Sequence, residues 1–322
     1  MKHLFAALAL AALSGPLAAQ APAPAPGAPA PAAPAAPVPA APAALPDADP
    51  ALFIARDEDT IIYLFGTFHL LDERPWFNDE VKTAFDASDE LVLEILLPED
   101  PAQQQATLMP VVMRYAIDPQ GRTISSRLTA AQNETLNRTL SAAGIPAGAF
   151  DRFEPWFLML TLTQLAAQQL NLAPQNGPET VLRRAAGARD MTEAELETVE
   201  SQIRIFDEMS EEDQLKGLRD ALDDTSELPN KLAPMLAAWS AGDADRLAAL
   251  MTEDMTDDRT LYDAIFTNRN ANWARWIRER MTRPGTVFVA VGAGHLAGRG
   301  SVQDQLRTLG IRSERVPHVE GD

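Results

Sequence analysis

An apolar strand pattern that runs directly into Gly-x-x-His occurs twice in this chain, near its two ends. It constrains the fold more than any other feature. Ile61-Ile62-Tyr63-Leu64-Phe65 is followed by Gly66-Thr67-Phe68-His69, and Val287-Phe288-Val289-Ala290-Val291 by Gly292-Ala293-Gly294-His295. Five apolar residues in a row, β-branched and aromatic among them, read as a strand buried on both faces. The chain has four histidines, and His3 lies in an N-terminal leader and His318 in a polar tail. The histidines of the two motifs are therefore the pair left for the folded body. Side chains just past two strands converge when those strands are neighbours in one sheet.

The chain before that body reads differently. Met1-Lys2-His3 is a basic start, residues 4–13 are an apolar run, and Ser14-Gly15-Pro16-Leu17-Ala18-Ala19 supplies a breaker and small residues. This is the pattern of a signal peptide, 1–19, with cleavage expected after Ala19. The run is much shorter than the ~20 residues that span a bilayer. Residues 20–46 hold 13 Ala and 10 Pro, which cannot bury a core and favour extended, polyproline-like backbone. Residues 20–50 are read as a linker, either an inert spacer or a tether that contacts the cell envelope. The domain is expected over 51–318, with a tail at 319–322. No cysteine is present, which removes disulfides, thiolate ligands and a lipid-bearing N-terminal cysteine together. The expected location is periplasmic or secreted, with no integral membrane span.

Formal charge is −19, and residues 190–227 carry 14 acidic and 3 basic side chains. Charge of that sign repels phosphate backbones, so nucleic acid is excluded as a partner, and a peptide or small-molecule substrate is expected instead. The acidic run is read as a solvated helix face.

Along the body, residues 51–55 and 60–65 suggest a hairpin. Asn78 is placed to cap a helix carrying Val81, Ala84 and Phe85, and residues 91–97 read as a third buried strand with Glu94 in its middle. Residues 101–280 turn helical. Helices are expected at 129–143, at 156–170 after Arg152-Phe153-Glu154-Pro155-Trp156, at 228–241, 243–251 and 260–281, and along the stripe Leu196, Val199, Ile203 and Phe206. A short helix at 301–309 and a strand at 311–316 close the chain.

Glu94 is costly to bury in an apolar strand unless it is paired, metal-bound or protonated. Arg269 and Asn270 lie on the same helix face as Trp273, and a guanidinium and an amide aimed at a core serve a carboxylate or an oxyanion. His69, Glu94 and His295 together make a two-histidine, one-carboxylate set suited to zinc, manganese or cobalt. Such a site would lower the pKa of a bound water for attack on a carbonyl, with Arg269 or Asn270 stabilising the oxyanion. Three alternatives stay open. Each histidine can be a structural, hydrogen-bonded residue. One histidine can act as general base on water with Glu94 and no metal. Or the histidines can bind a peptide or haem without turnover.

Tyr63 to His69, the 91–97 run with Glu94, Arg152 to Trp156, Asn268-Arg269-Asn270 with Trp273, and Val287 to His295 occur in the order found in the TraB/GumN family. The chain resembles that family, which includes the Tiki proteins, proposed metalloproteases acting on Wnt ligands. The resemblance implies an α/β (α+β) fold related to erythromycin esterase and the haem-binding ChaN proteins, its sheet built from the N- and C-terminal segments with a large helical insert between them, and a metal-dependent hydrolase, a peptidase first of all. It also implies His69, Glu94 and His295 as the metal or catalytic group, with Arg269 and Asn270 in support. The chain departs from the family pattern in two places. Gly177-Pro178-Glu179 replaces a Gly-(Val/Ile)-Asp, and the strand that follows is eroded across 188–196, keeping Leu196-Glu197-Thr198 and Gln202.

Overall fold

The computed structural model describes residues 45–224, 227–253 and 259–319. The expected signal peptide, all of the expected linker except 45–50, and residues 320–322 of the expected tail lie outside them.

The expected hairpin is present. Strands β1 (Leu52–Arg56) and β2 (Thr60–Thr67) pair antiparallel with Ile54 opposite Tyr63, and Asp57 Oδ1 closes their turn by accepting from the Thr60 amide at 2.9 Å. The remaining strands are β3 (Glu90–Leu93), β4 (Thr192–Glu195), β5 (Gly285–Gly292) and β6 (Ser313–Arg315). The sheet order is β4-β3-β5-β2-β1-β6. Strands β4, β3, β5 and β2 run parallel, and β1 is antiparallel to both of its neighbours. The terminal segments thus supply most of the sheet, as the resemblance implies, but β4 comes from the middle of the chain. The expected 311–316 strand shrinks to three residues at the sheet edge.

The helices are α1 (Asp79–Asp86), α2 (Pro101–Ala116), α3 (Ala130–Ala142), α4 (Pro155–Gln169), α5 (Pro178–Gly187), α6 (Val199–Asp207), α7 (Glu211–Asp223), α8 (Leu228–Ser240), α9 (Ala244–Thr252), α10 (Arg259–Tyr262), α11 (Asn268–Arg280) and α12 (Val302–Thr308). Asn78 occupies the position before α1, but its side chain makes no capping bond and donates to Asp47 instead. The expected 260–281 helix is interrupted by a π turn at Asp263–Thr267, the kind of irregularity that often marks a functional segment.

The sheet is covered on both faces. On one, Phe65, Leu91 and Phe288 pack with Phe85, Leu182 and Trp239; on the other, Ile62, Leu64, Val287 and Val289 pack with Trp273, Ile277 and Leu306. Burying each of these large side chains contributes about 1.5–3 kcal/mol, which explains why the central strands read as unbroken apolar runs. A separate helical core holds Leu108, Leu136, Trp156, Ile203, Phe206 and Leu218. Among the described residues, no helix is long and apolar enough to cross a membrane.

Candidate functional site

Four parallel strands end at one edge of the sheet, and each delivers a side chain just beyond its last residue. His69 follows β2, Glu94 follows β3, Glu197 follows β4 and His295 follows β5. In open α/β sheets the crevice at the carboxyl ends of the strands is where ligands bind. The convergence centres on Gly292, the last residue of β5. A methyl group added there would lie 3.2 Å from Glu94 Oε1, 3.3 Å from His69 Nε2 and 3.5 Å from His295 Cδ2. The missing side chain therefore leaves a notch that all three residues border.

Glu94 lies past the end of β3, not within it as the sequence suggests, and hydrogen bonding gives the reason. β3 and β5 pair as far as Leu93 opposite Ala290. The next free amide, Gly292 N–H, donates at 2.7 Å to the Glu94 carboxylate in place of a backbone carbonyl. Glu94 Oε2 accepts from Arg269 Nη2 at 2.5 Å and from Gln202 Nε2 at 2.9 Å. Burial pushes this carboxyl up, but Arg269, followed by His295 and His69, more than offsets it and holds the group at about 2. Glu94 is ionised at any working pH.

Arg269, just past the π turn, is 6% exposed. Its Nε donates to both Glu197 oxygens at 2.9 and 3.0 Å, and its Nη2 donates to Glu94 and, at 2.9 Å, to Glu197 Oε2. Its Nη1 points to His295 Nε2 at 3.0 Å and donates to the Ile265 carbonyl at 3.3 Å. The guanidinium carbon lies 4.8 Å from the centre of the Trp273 ring, whose Nε1–H donates to Glu197 Oε1 at 2.9 Å. Burial pulls the Arg269 pKa down, while Glu94 and Glu197 raise it further, leaving a net upward shift. With all of its N–H groups engaged, Arg269 has none left for the oxyanion role expected of it. Asn270 is likewise occupied, its Nδ2 donating to the Gly300 carbonyl and its Oδ1 facing His295 Nδ1 at 2.7 Å.

The two histidines, alike in sequence context and both buried, differ in hydrogen bonding and in charge. Because Asn270 Oδ1 can only accept, His295 carries its proton on Nδ1, and Nε2 accepts from Arg269. Its ring lies 4.4 Å from the Trp273 ring and 5.0 Å from Phe266, centroid to centroid. Burial and Arg269 push its pKa down to about 3, so it is neutral. His69 Nδ1 instead meets Glu179 Oε1 at 2.5 Å. Burial alone would lower the His69 pKa, but the Glu179 charge and hydrogen bond raise it to about 9. His69 Nε2 has no hydrogen-bond partner among the described residues. The ring borders a pocket of about 430 Å3, solvent at its mouth included, lined also by Thr67, Phe68, Met251, Phe266 and His295.

The structure thus brings His69, Glu94, His295, Arg269 and Asn270 into one cluster and adds Glu179, Glu197 and Gln202. Glu179 stands in the departing Gly177-Pro178-Glu179, whereas Glu197 and Gln202 are kept beside the eroded 188–196 stretch. Pro178 at the start of α5 is suited to the first helical turn and sets Glu179 against His69. Gly177 makes this approach possible, since a Cβ there would lie 2.3 Å from the His69 carbonyl oxygen. Gly177→Ala is expected to separate α5 from the His69 turn and to destabilise the fold by about 1–3 kcal/mol, the usual cost of overpacking. Urea denaturation measures this, and an unchanged midpoint would show that the approach is slack.

These residues do not fit a divalent ion as they stand. Both nitrogens of His295 are engaged, both oxygens of Glu94 accept hydrogen bonds, and a buried cation already touches the two residues. The ligand atoms of His69, Glu94 and His295 do not lie within 4.8 Å of one another; among the described residues, the group that does is Asp49, Asp79 and His318, half-buried and exposed. The same occupancy argues against the two histidines as a pair of haem ligands.

Residues 51–315 match the TraB/PrgY/gumN family. An uncharacterized protein of Treponema pallidum is 24% identical over 259 residues, 76% of each chain. The uncharacterized protein YbaP of Escherichia coli is 29% identical over 196 residues, 60% of this chain and 71% of YbaP. The Shigella flexneri YbaP matches equally. No solved structure gives a significant match.

Proposed function

We propose that this chain, which belongs to the TraB/PrgY/gumN family, is a hydrolase of ester or amide bonds, in a peptide or small molecule, that works without a metal. Its N-terminal segment directs it out of the cytoplasm. One observation carries the reading: His69 Nε2, without a hydrogen-bond partner among the described residues, and Glu94 Oε1 border the same notch at Gly292. A water bound there is held by the remaining lone pair of Glu94 Oε1 and aligned with His69. The neutral imidazole takes a proton from the water as its oxygen bonds to the substrate carbonyl carbon. The resulting imidazolium returns the proton to the leaving oxygen or nitrogen as the scissile bond breaks. Glu179 holds the His69 tautomer with Nδ1 protonated and Nε2 facing the pocket. The apolar wall of Phe68, Met251 and Phe266 keeps the reacting group away from bulk water.

Gly292→Ala tests this. The backbone there, φ −50 and ψ 130, suits alanine, so the fold is expected to survive while the methyl group fills the notch. Turnover of p-nitrophenyl esters and of a mixed-peptide library is expected to fall on the order of 100-fold, the scale of misplacing a reacting atom by about 1 Å. Unchanged turnover in a folded Gly292→Ala protein would remove the notch from the mechanism.

A further inference from the structure

The symmetry of the two Gly-x-x-His motifs invites equal roles for their histidines as metal ligands. We infer instead that Arg269, seated by His295, is the built-in cation of this site and takes the place of a divalent metal. His295 is then a positioning residue, not a ligand. This rests on how the hydrogen-bonding capacity is used and does not depend on the hydrolase reading.

A guanidinium has five N–H bonds in a fixed planar fork. On Arg269 the Nε–H is shared between the two Glu197 oxygens, the Nη2 pair goes to Glu94 and Glu197, and the Nη1 pair goes to His295 Nε2 and the Ile265 carbonyl. Every donor is satisfied inside the protein. The partners are the donor types a transition metal would recruit: two carboxylates and a neutral imidazole nitrogen. They are also held in place from behind. Gln202 Nε2 reaches Glu94 and, at 3.2 Å, Glu197. Trp273 holds Glu197, and Asn270 fixes the His295 tautomer so that its Nε2 lone pair faces the guanidinium. Phe266 and Trp273 contact the imidazole ring. Outer contacts of this kind orient metal ligands in metalloenzymes; here they orient the acceptors of an arginine. A divalent ion entering the cluster would have to break these bonds and stand beside a buried positive charge.

The test is metal binding read by stability and spectroscopy. Chelator-stripped wild-type protein, His69→Gln and His295→Gln are titrated with Co2+, Mn2+ and Zn2+, following Tm and the visible absorption of Co2+. Wild type is expected to show no stoichiometric uptake, no Co2+ ligand-field band and the same Tm with metal or chelator. One equivalent bound by wild type and lost in either glutamine variant would overturn the inference. A second comparison addresses His295 itself. His295→Leu leaves an Arg269 N–H buried without an acceptor and is expected to lower Tm by several degrees, whereas His295→Gln offers its side-chain carbonyl and recovers most of that loss. Equal losses in the two variants would count against the positioning role. If neither variant folds, the wild-type and His69→Gln titrations decide. Failure to find any substrate would bear on the hydrolase reading and leave these outcomes intact.

Discussion

Arg269→Met is expected to cost about 3–5 kcal/mol of stability, the range for removing one partner of a buried ion pair and leaving its charge uncompensated. The side chains of Glu94 and Arg269 are 6% and 7% exposed and that of Glu197 is 12% exposed, so water cannot take over the role of the guanidinium. Lysine is expected to recover little, because a point charge cannot reproduce a fork that reaches two carboxylates, a carbonyl and an imidazole at once. The deficit should depend on pH with a definite sign. In the wild type the Glu94 carboxyl is held at about 2, below its ordinary 4.5, because Arg269 and then His295 and His69 more than offset burial. The stability this represents is fully present above 4.5 and is lost as pH falls through about 2. In Arg269→Met the orphaned Glu94 carboxylate takes up its proton at higher pH. The gap between the two proteins therefore narrows under acid conditions. Urea denaturation across that range measures it, and a loss under about 1 kcal/mol at neutral pH would mean that the cluster is wetter than its burial implies.

Convergence of the two Gly-x-x-His turns was legible because it follows from a local rule. A residue just past a buried strand lies at the sheet edge, and two such strands that pair bring their residues together; β2 and β5 do pair, in parallel. Glu94 was legible for a related reason, as a carboxylate too costly to bury alone. Glu179 was not, because its contact with His69 spans 110 positions and depends on the close approach allowed by Gly177. Glu197 was obscured because β4 is a half-exposed edge strand, Thr-Glu-Ala-Glu, with no apolar alternation to announce it. The expectation that a core-facing guanidinium serves a carboxylate holds twice over, since Arg269 meets two. The metal expectation illustrates a different limit. A sequence shows which donor types are present, but not whether their lone pairs are already spent. His295 has the residue type of a ligand and the hydrogen bonding of a strut.

The pH dependence of turnover is expected to separate the two motifs most sharply. His69 is buried, which disfavours its charged form, yet the ionised Glu179 against Nδ1 raises its pKa to about 9. Burial pushes the Glu179 carboxyl up, but His69 pulls it down further, so it stays charged. A general base must be neutral, and at pH 7 only about 1% of His69 is, taking one pH unit per tenfold change in protonation. In wild type, kcat/KM is therefore expected to rise about tenfold per pH unit and to level off near pH 9. Glu179→Gln keeps an acceptor for Nδ1–H but removes the charge. Burial then dominates, and the rising limb is expected to move below 9, towards or under the ordinary 6.5. Near pH 7 the variant holds more of the neutral base, although each imidazole is a weaker one. Stability supplies an independent check with the opposite slope. Because the folded-state pKa of His69 lies above 6.5, the pair's contribution is complete below 6.5 and is lost as pH rises through about 9. Wild type should thus lose stability over that interval relative to Glu179→Gln while it gains activity. A rate limb unmoved by Glu179→Gln would mean that the titrating group is not His69, and it would take the general-base role from this histidine.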